Sequence, residues 1–175
     1  MRAVFLKGEY VVSGSKGVCV VEDVATLDIS GVDNQREYYV LKPVYMSSST
    51  VYVPVDHADE SVRKVLSKEE AREFIGELPS IPMIEIDNDK ALEQEYKGCM
   101  KSNCCREWAR IIKTIYSRTA KRLAAGRKVT TVDARYSRMA QDKLYGELAV
   151  SLGLDREMVE EYICGVIDSQ AVSGC

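Results

Sequence analysis

Residues 38–55 read Tyr-Tyr-Val-Leu-Lys-Pro-Val-Tyr-Met-Ser-Ser-Ser-Thr-Val-Tyr-Val-Pro-Val. Two runs rich in aromatic and β-branched residues, Tyr38 to Lys42 and Thr50 to Val55, flank a tip at Met46 to Ser49, the pattern of a β-hairpin. Pro54 has no N–H to give to a ladder, so it ends its strand or lies on an edge. Toward the N-terminus, Tyr10-Val11-Val12 follows a Lys7-Gly8-Glu9 turn, and Val18 to Val24 follows Gly17. Asp28-Ile29-Ser30-Gly31 reads as a bend. Short strand-like runs broken by Gly, Asp and Ser at roughly 8–12-residue spacing mean a small barrel or sandwich.

Downstream the period changes from two to helical. Ser67-Lys68-Glu69-Glu70 is a capping box with Ser67 as N-cap, opening a helix to about Leu78. Pro79 and Pro82 then break the chain and mark the expected domain boundary, giving 1–78 and 79–175. A helix is expected from about Asn88 to Lys101. Ser102-Asn103 offers the next N-cap, and Trp108, Ile111, Ile112 and Ile115 form an apolar stripe that makes Trp108 a core residue. That helix fades near Ala125-Gly126. Thr130-Thr131-Val132-Asp133 is a second box, opening a helix with Tyr136, Met139, Ala140, Leu144, Leu148 and Leu152. Gly153 suits its C-terminal cap, and Asp155 starts a last helix with Met158, Val159, Tyr162 and Ile163 inward. The fold class is α+β: strands first, then an all-α helical domain.

The 175 residues are 46% hydrophobic and 29% charged, ordinary globular material with enough length for a core without staples. No apolar run is long enough to span a membrane or to serve as a signal peptide, so a cytoplasmic protein with six reduced cysteines is expected. Cys99, Cys104 and Cys105 form C-x4-C-C, with the single histidine, His57, far away in sequence. That spacing suits small apolar side chains on helix faces better than a zinc site, and no metal or other cofactor is expected. Phosphate-binding loops, a Gly-x-Ser-x-Gly elbow and His-Glu-x-x-His are all missing from the sequence. His57 follows a strand in a loop, and Asp87/Asp89 and Glu93/Glu95 lie where acids complement a helix N-terminus. No catalytic constellation emerges, and the chain is expected not to be an enzyme.

Charge is the strongest compositional signal. The formal net charge is −3, yet residues 101–145 hold 12 basic and 3 acidic side chains, net +9. Local charge sets the field that a polyanion meets. Arg106, Arg110, Lys113, Arg118, Lys121 and Arg122 lie on one expected helix, Arg127 and Lys128 in the following turn, and Arg135 and Arg138 on the next helix. Two helices joined by a basic turn gather such side chains against a phosphate backbone, with no need to read base sequence. Only Glu107, Asp133 and Asp142 interleave, which argues against a merely solvated face.

The order of motifs resembles one family. Lys7-Gly8-Glu9-Tyr10-Val11-Val12, Gly17-Val18-Cys19-Val20-Val21-Glu22, Tyr38-Tyr39-Val40-Leu41 and Tyr52-Val53-Pro54-Val55-Asp56 are similar to the first domain of CarD/CdnL-like bacterial transcription regulators, a domain shared with the transcription-repair coupling factor. Thr130-x-x-Asp133 stands where that family has Leu-Ser-x-x-Glu, and Gly146-Glu147-Leu148-Ala149 resembles its Gly/Ser-Glu-Leu-Ala.

The resemblance implies a Tudor/SH3-like antiparallel β-barrel that docks on the RNA polymerase β-subunit lobe by pairing a strand edge. Carried over, the polymerase-facing residues are Leu27, Ile29, Val51, Tyr52 and Val53, with family arginines falling on Leu27 and Tyr52. It further implies a monomer whose helical domain lies on promoter DNA and stabilises the open complex. The family's wedge tryptophan falls near Asp89, Trp108 lies one helix later, and the family's Tyr-Pro-x-His-Gly loop is replaced by Ser13-Gly14-Ser15-Lys16-Gly17. The alternative is a barrel-based protein-binding adaptor without DNA binding.

Overall fold

The computed structural model describes residues 5–14, 16–28, 30, 35–46 and 48–173, with side chains described as far as Ile167. Two compact units divide between Val65 and Leu66. The division falls earlier than the boundary expected after Leu78. The capped helix at 68–77 buries Ala71 and Ile75 among the other helices, so it belongs with them.

The first unit is a five-stranded antiparallel sheet: β1 (Tyr10–Ser13), β2 (Gly17–Thr26), β3 (Glu37–Pro43), β4 (Val51–Pro54) and β5 (Val62–Lys64). The order is β4-β3-β2-β1-β5. The expected barrel is therefore corrected to an open sheet, with β4 and β5 as its two edges. After β4 the chain turns through a short 3-10 helix, Val55–Glu60, and β5 then pairs with β1 through Val11↔Lys64, Val12↔Arg63 and Ser13↔Val62. With β4 bonded to β3 and β5 to β1, no ladder joins the two edges among the described residues.

The two strand runs of 38–55 are β3 and β4, except that Thr50 precedes β4, Val55 opens the 3-10 helix and Ser47 of the expected tip lies outside the described residues. Pro54 is both the last residue of β4 and on an edge, where its missing N–H costs no ladder bond. Between Val21↔Leu41 and Asp23↔Val40 the register slips by one residue at Glu22, a β-bulge that turns the end of β2. The sheet's core is Phe5, Val11, Cys19, Val21, Tyr39, Leu41, Val53, Ala58 and Val62. Tyr39 anchors it twice: its hydroxyl accepts from the Phe5 N–H at 3.1 Å, and the two rings lie 5.4 Å apart.

The second unit is helical: α1 (Lys68–Glu77), α2 (Asp89–Lys101), α3 (Cys105–Ala124), α4 (Thr131–Leu152) and α5 (Val159–Ser173). The Ser67 box is complete, with Glu70 N–H donating to Ser67 Oγ at 3.1 Å and Ser67 N–H to Glu70 Oε1 at 3.0 Å. Those backbone and hydroxyl donors hold the Glu70 carboxyl below its usual range. Asn88 caps α2 by accepting from Ala91 N–H at 3.0 Å. Gly153 caps α4 at φ 69°, a left-handed conformation that costs glycine least.

The N-cap of α3 is Cys104 rather than Ser102 or Asn103, and its side chain makes no capping bond. Asn103 takes the left-handed turn instead, at φ 52°. Trp108 is fully buried, as its stripe predicts, with Leu92, Tyr96, Ile111, Ile115, Leu144 and Leu148. No helix among the described residues is long and apolar enough to cross a membrane.

Candidate functional site

Two surfaces carry the sequence's candidate residues. The first is the β4 edge of the sheet unit. Pairing Val40↔Tyr52 and Tyr39↔Val53 sends alternate side chains to opposite faces. Val53 enters the core at 8% exposure, whereas Tyr52 is 46% exposed and Val51 half-buried. Leu27 is half-buried just past the end of β2, separated from β4 in the sheet order by β3. Ile29 lies outside the described residues. The edge thus offers a short run of backbone with one large exposed ring and no arginine among Val51, Tyr52 and Val53. Just past its end, the Arg36 guanidinium grips Asp56 at 2.9 and 3.1 Å and holds that carboxyl below its usual range.

The second surface is the hairpin of α3 and α4. Its turn is built by the end of α3. Arg127 N–H donates to the Arg122 carbonyl at 2.7 Å and Gly126 N–H to the Leu123 carbonyl at 3.0 Å, a Schellman closure. It requires a left-handed residue at 126, and glycine supplies it at φ 75°. The Arg122 side chain then spans the turn, donating Nε–H to the Lys128 carbonyl at 2.7 Å. On the far side Thr130 Oγ1 accepts from Asp133 N–H at 3.0 Å and starts α4. The result is a basic tip with Lys121, Arg127 and Lys128 exposed and Leu123 at 63% exposure among them.

The ten cations expected to contact DNA divide into two groups. Five are committed inside the unit. Arg110 pairs with Glu107 at 2.9 Å and Glu95 at 3.9 Å. Lys113 Nζ donates to the carbonyls of Leu78, Pro79 and Ile81 at 2.8, 3.2 and 2.6 Å, closing the chain after α1, and burial lowers its pKa. Arg118 donates to Asp133 at 2.9 Å and Asp89 at 3.2 Å. Arg122 spans the turn, and Arg135 pairs with Glu93 at 3.0 Å and lies over the Tyr136 ring. The other five, Arg106, Lys121, Arg127, Lys128 and Arg138, are exposed. Arg106 stands in the first turn of α3, fifteen residues and hence about 22 Å before Lys121 at helical rise. The structure therefore gathers Lys121, Arg127 and Lys128 at the tip, with Arg138 further along α4, and leaves Arg106 at the other end of α3.

The long-range pairings of the acids on this surface are invisible to sequence spacing. Asp133 closes the Thr130 capping motif through its amide, but its carboxylate does not reach back to the cap. It is 1% exposed and accepts from Tyr96 Oη at 3.1 Å and Arg118 Nε at 2.9 Å, tying α2, α3 and α4 together. Burial opposes the charge on Arg118, but the bond and charge of Asp133 outweigh it, and the pKa is raised. Burial, then the Asp133 charge, raises the Tyr96 phenol. Asp89 joins the same network through Arg118, and Glu93 pairs separately with Arg135, across 29 and 42 residues of sequence.

Cys99 and Cys105 are packing residues. Cys99 is buried, its thiol pushed up to about 12 by burial and by the neighbouring Glu107, to which it donates at 3.2 Å. Cys105 donates to the buried Glu147 at 3.0 Å, whose other oxygen accepts from Leu66 N–H at 3.0 Å. Among the described residues no group of three or more His, Cys, Asp and Glu side chains is placed to hold a metal ion.

No curated protein matches the chain. A family model does match, and the helical unit, apart from its first residue, lies outside it. Residues 5–66, which hold all five strands, fit the family model of the CarD-like/TRCF RID domain, and the motifs at 130–133 and 146–149 lie outside the match.

Proposed function

We propose that the chain is a non-catalytic transcription regulator that binds the RNA polymerase β-subunit lobe through its sheet unit and promoter DNA through the α3–α4 turn. The observation that carries this reading is the match of residues 5–66 to an RNA polymerase-interacting domain family. The β4 edge supports it, because an added strand draws affinity from backbone bonds and tolerates the change from arginine to Leu27 and Tyr52. The basic tip supports the DNA half, because Lys121, Arg127 and Lys128 are exposed cations on a fixed turn.

In this mechanism the sheet unit is a tether. Docking on polymerase raises the local concentration of a weak phosphate-binding module at the promoter. If that module meets DNA better in the open complex, it shifts the equilibrium by the difference, about 1.4 kcal/mol for a tenfold shift. Isothermal calorimetry of the full chain against a β-lobe fragment tests the tether. One-to-one binding at roughly 1 µM or tighter supports it, and Tyr52→Glu on the exposed edge should weaken that binding. No heat at any accessible concentration would mean the sheet unit serves another partner.

A second reading, an adaptor that binds protein and not DNA, draws support from one observation: Arg110, Arg118 and Arg135 already have carboxylate partners within the unit. Salt separates the two. Duplex binding that falls steeply with salt favours the regulator, and no binding at low salt favours the adaptor.

A further inference from the structure

The helix α2 carries acids that meet the basic helices directly. Asp89 and Glu93 are four residues apart, so they share one face of α2. Asp89 Oδ1 accepts from Arg118 at 3.2 Å, and Glu93 Oε1 accepts from Arg135 at 3.0 Å. A carboxylate on a guanidinium makes the same charge-assisted bond that a phosphodiester oxygen would make. Arg118 does not depend on Asp89 for its position, because the buried Asp133 holds its Nε at 2.9 Å. The Asp89 side chain is 80% exposed, so it covers the outer NH2 of a guanidinium that is otherwise fixed in place.

We propose that α2 is a built-in anionic competitor: Asp89 and Glu93 occupy the guanidinium groups of Arg118 and Arg135 that a nucleic-acid backbone would otherwise take, and so confine the polyanion footprint to the α3–α4 turn. The inference rests on the reading of the helical unit as a nucleic-acid-binding module. Exposed ion pairs are weak and screened by salt, so the cover is exchangeable. A phosphate that displaces Asp89 gains a positioned donor, and the displaced carboxylate returns to water. The intact protein therefore engages fewer phosphates than its count of basic residues implies, and anything that neutralises or moves the start of α2 widens the footprint.

The test compares full-length protein with Asp89→Asn/Glu93→Gln on a short duplex of arbitrary sequence, by fluorescence anisotropy from about 50 to about 200 mM salt. Each guanidinium released adds a phosphate contact, steepening the plot of log affinity against log salt by about 0.9, so by up to about 2 for the pair. Glu73→Gln/Glu161→Gln changes net charge equally at exposed sites on α1 and α5, and should leave the slope unchanged. The single change Asp89→Asn, at an exposed side chain, carries the same expectation at half the size if the double variant folds poorly. A variant slope equal to that of the wild type, or matched by the control, overturns the competitor while leaving DNA binding intact. No binding by wild type or variant at the lowest salt overturns the DNA-binding reading itself, and the competitor with it.

Discussion

The sheet unit and the helical unit present surfaces of different chemistry. At the β4 edge the available groups are backbone N–H and C=O, whose positions follow from strand pairing whatever side chains they carry. At the α3–α4 turn the available groups are side-chain cations, and each can be captured by an internal acid, as Arg118 is by Asp133 and Arg135 by Glu93. A docking edge therefore survives side-chain divergence, whereas a charged face must be judged residue by residue. Net charge over a segment describes the second kind of surface poorly, because half of its expected cations already serve the fold.

The largest effect should come from cutting the helical core. Trp108→Ala removes a fully buried ring, and losses of about 3–5 kcal/mol are usual for such a truncation. Denaturant unfolding should register that loss in the helical unit, while binding of the β-lobe fragment at low temperature stays near the wild-type value. Equal loss of β-lobe binding would break the comparison, because the edge would then depend on the helices.

Asp133→Ala should follow at about 3 kcal/mol, the lower end for breaking a buried pair, since the Arg118 partner is a quarter exposed. The change strands both the Tyr96 hydroxyl and the Arg118 Nε–H. Arg118→Ala should likewise cost stability, and Lys121→Ala should not. Chemical denaturation of the three variants sharpens the division between committed and exposed cations. Equal stability of Arg118→Ala and Lys121→Ala would erase it.

What the sequence discloses follows the range of the interaction. Ser67 with Glu70, Thr130 with the Asp133 amide, and Gly153 act within one helical turn, and the structure places each where its local pattern puts it. Trp108 and its stripe are legible for the same reason: period alone assigns the buried face. Sheet closure is a different matter. Whether β4 and β5 pair depends on the path through Val55–Glu60, and strand composition carries no record of it. The start of α3 is misleading because both Ser102 and Asn103 look like caps, while Asn103 is spent on a left-handed turn. For the basic face, the decisive partners sit 15, 29 and 42 residues from their arginines, beyond any spacing rule. The division at Val65/Leu66 belongs to this class too, since Leu66 is fixed by Glu147, 81 residues on.

Local caps are the next smaller effect. Ser67→Ala removes the acceptor for Glu70 N–H and half of the box, and should cost about 1 kcal/mol, read as a lower denaturation midpoint with an unchanged slope. Polymerase-lobe binding should be indifferent to it. A change in that binding would mean that the edge senses the first turn of α1.

The smallest effect on stability should belong to the tip, and there function and fold separate most cleanly. Lys121, Arg127 and Lys128 are exposed, and their replacement by alanine should alter stability by no more than about 0.5 kcal/mol each. Each should also remove about 0.9 from the salt slope of duplex binding, if each meets one phosphate. Arg122→Ala is the informative contrast, because its guanidinium spans the turn to the Lys128 carbonyl. Loosening that brace should weaken DNA binding beyond the loss of one charge, since Lys128 would lose its fixed position. A lysine in place of Arg122 keeps the charge but not the planar donor, so Arg122→Lys should keep the slope near wild type and still lose affinity. If Arg122→Lys matched the wild type in both, charge density alone would govern the tip and the guanidinium brace to the Lys128 carbonyl would be incidental to binding. If it behaved as Arg122→Ala, the turn's geometry would govern, and the helical surface would resemble the sheet edge after all, with backbone placement deciding what the side chains can do.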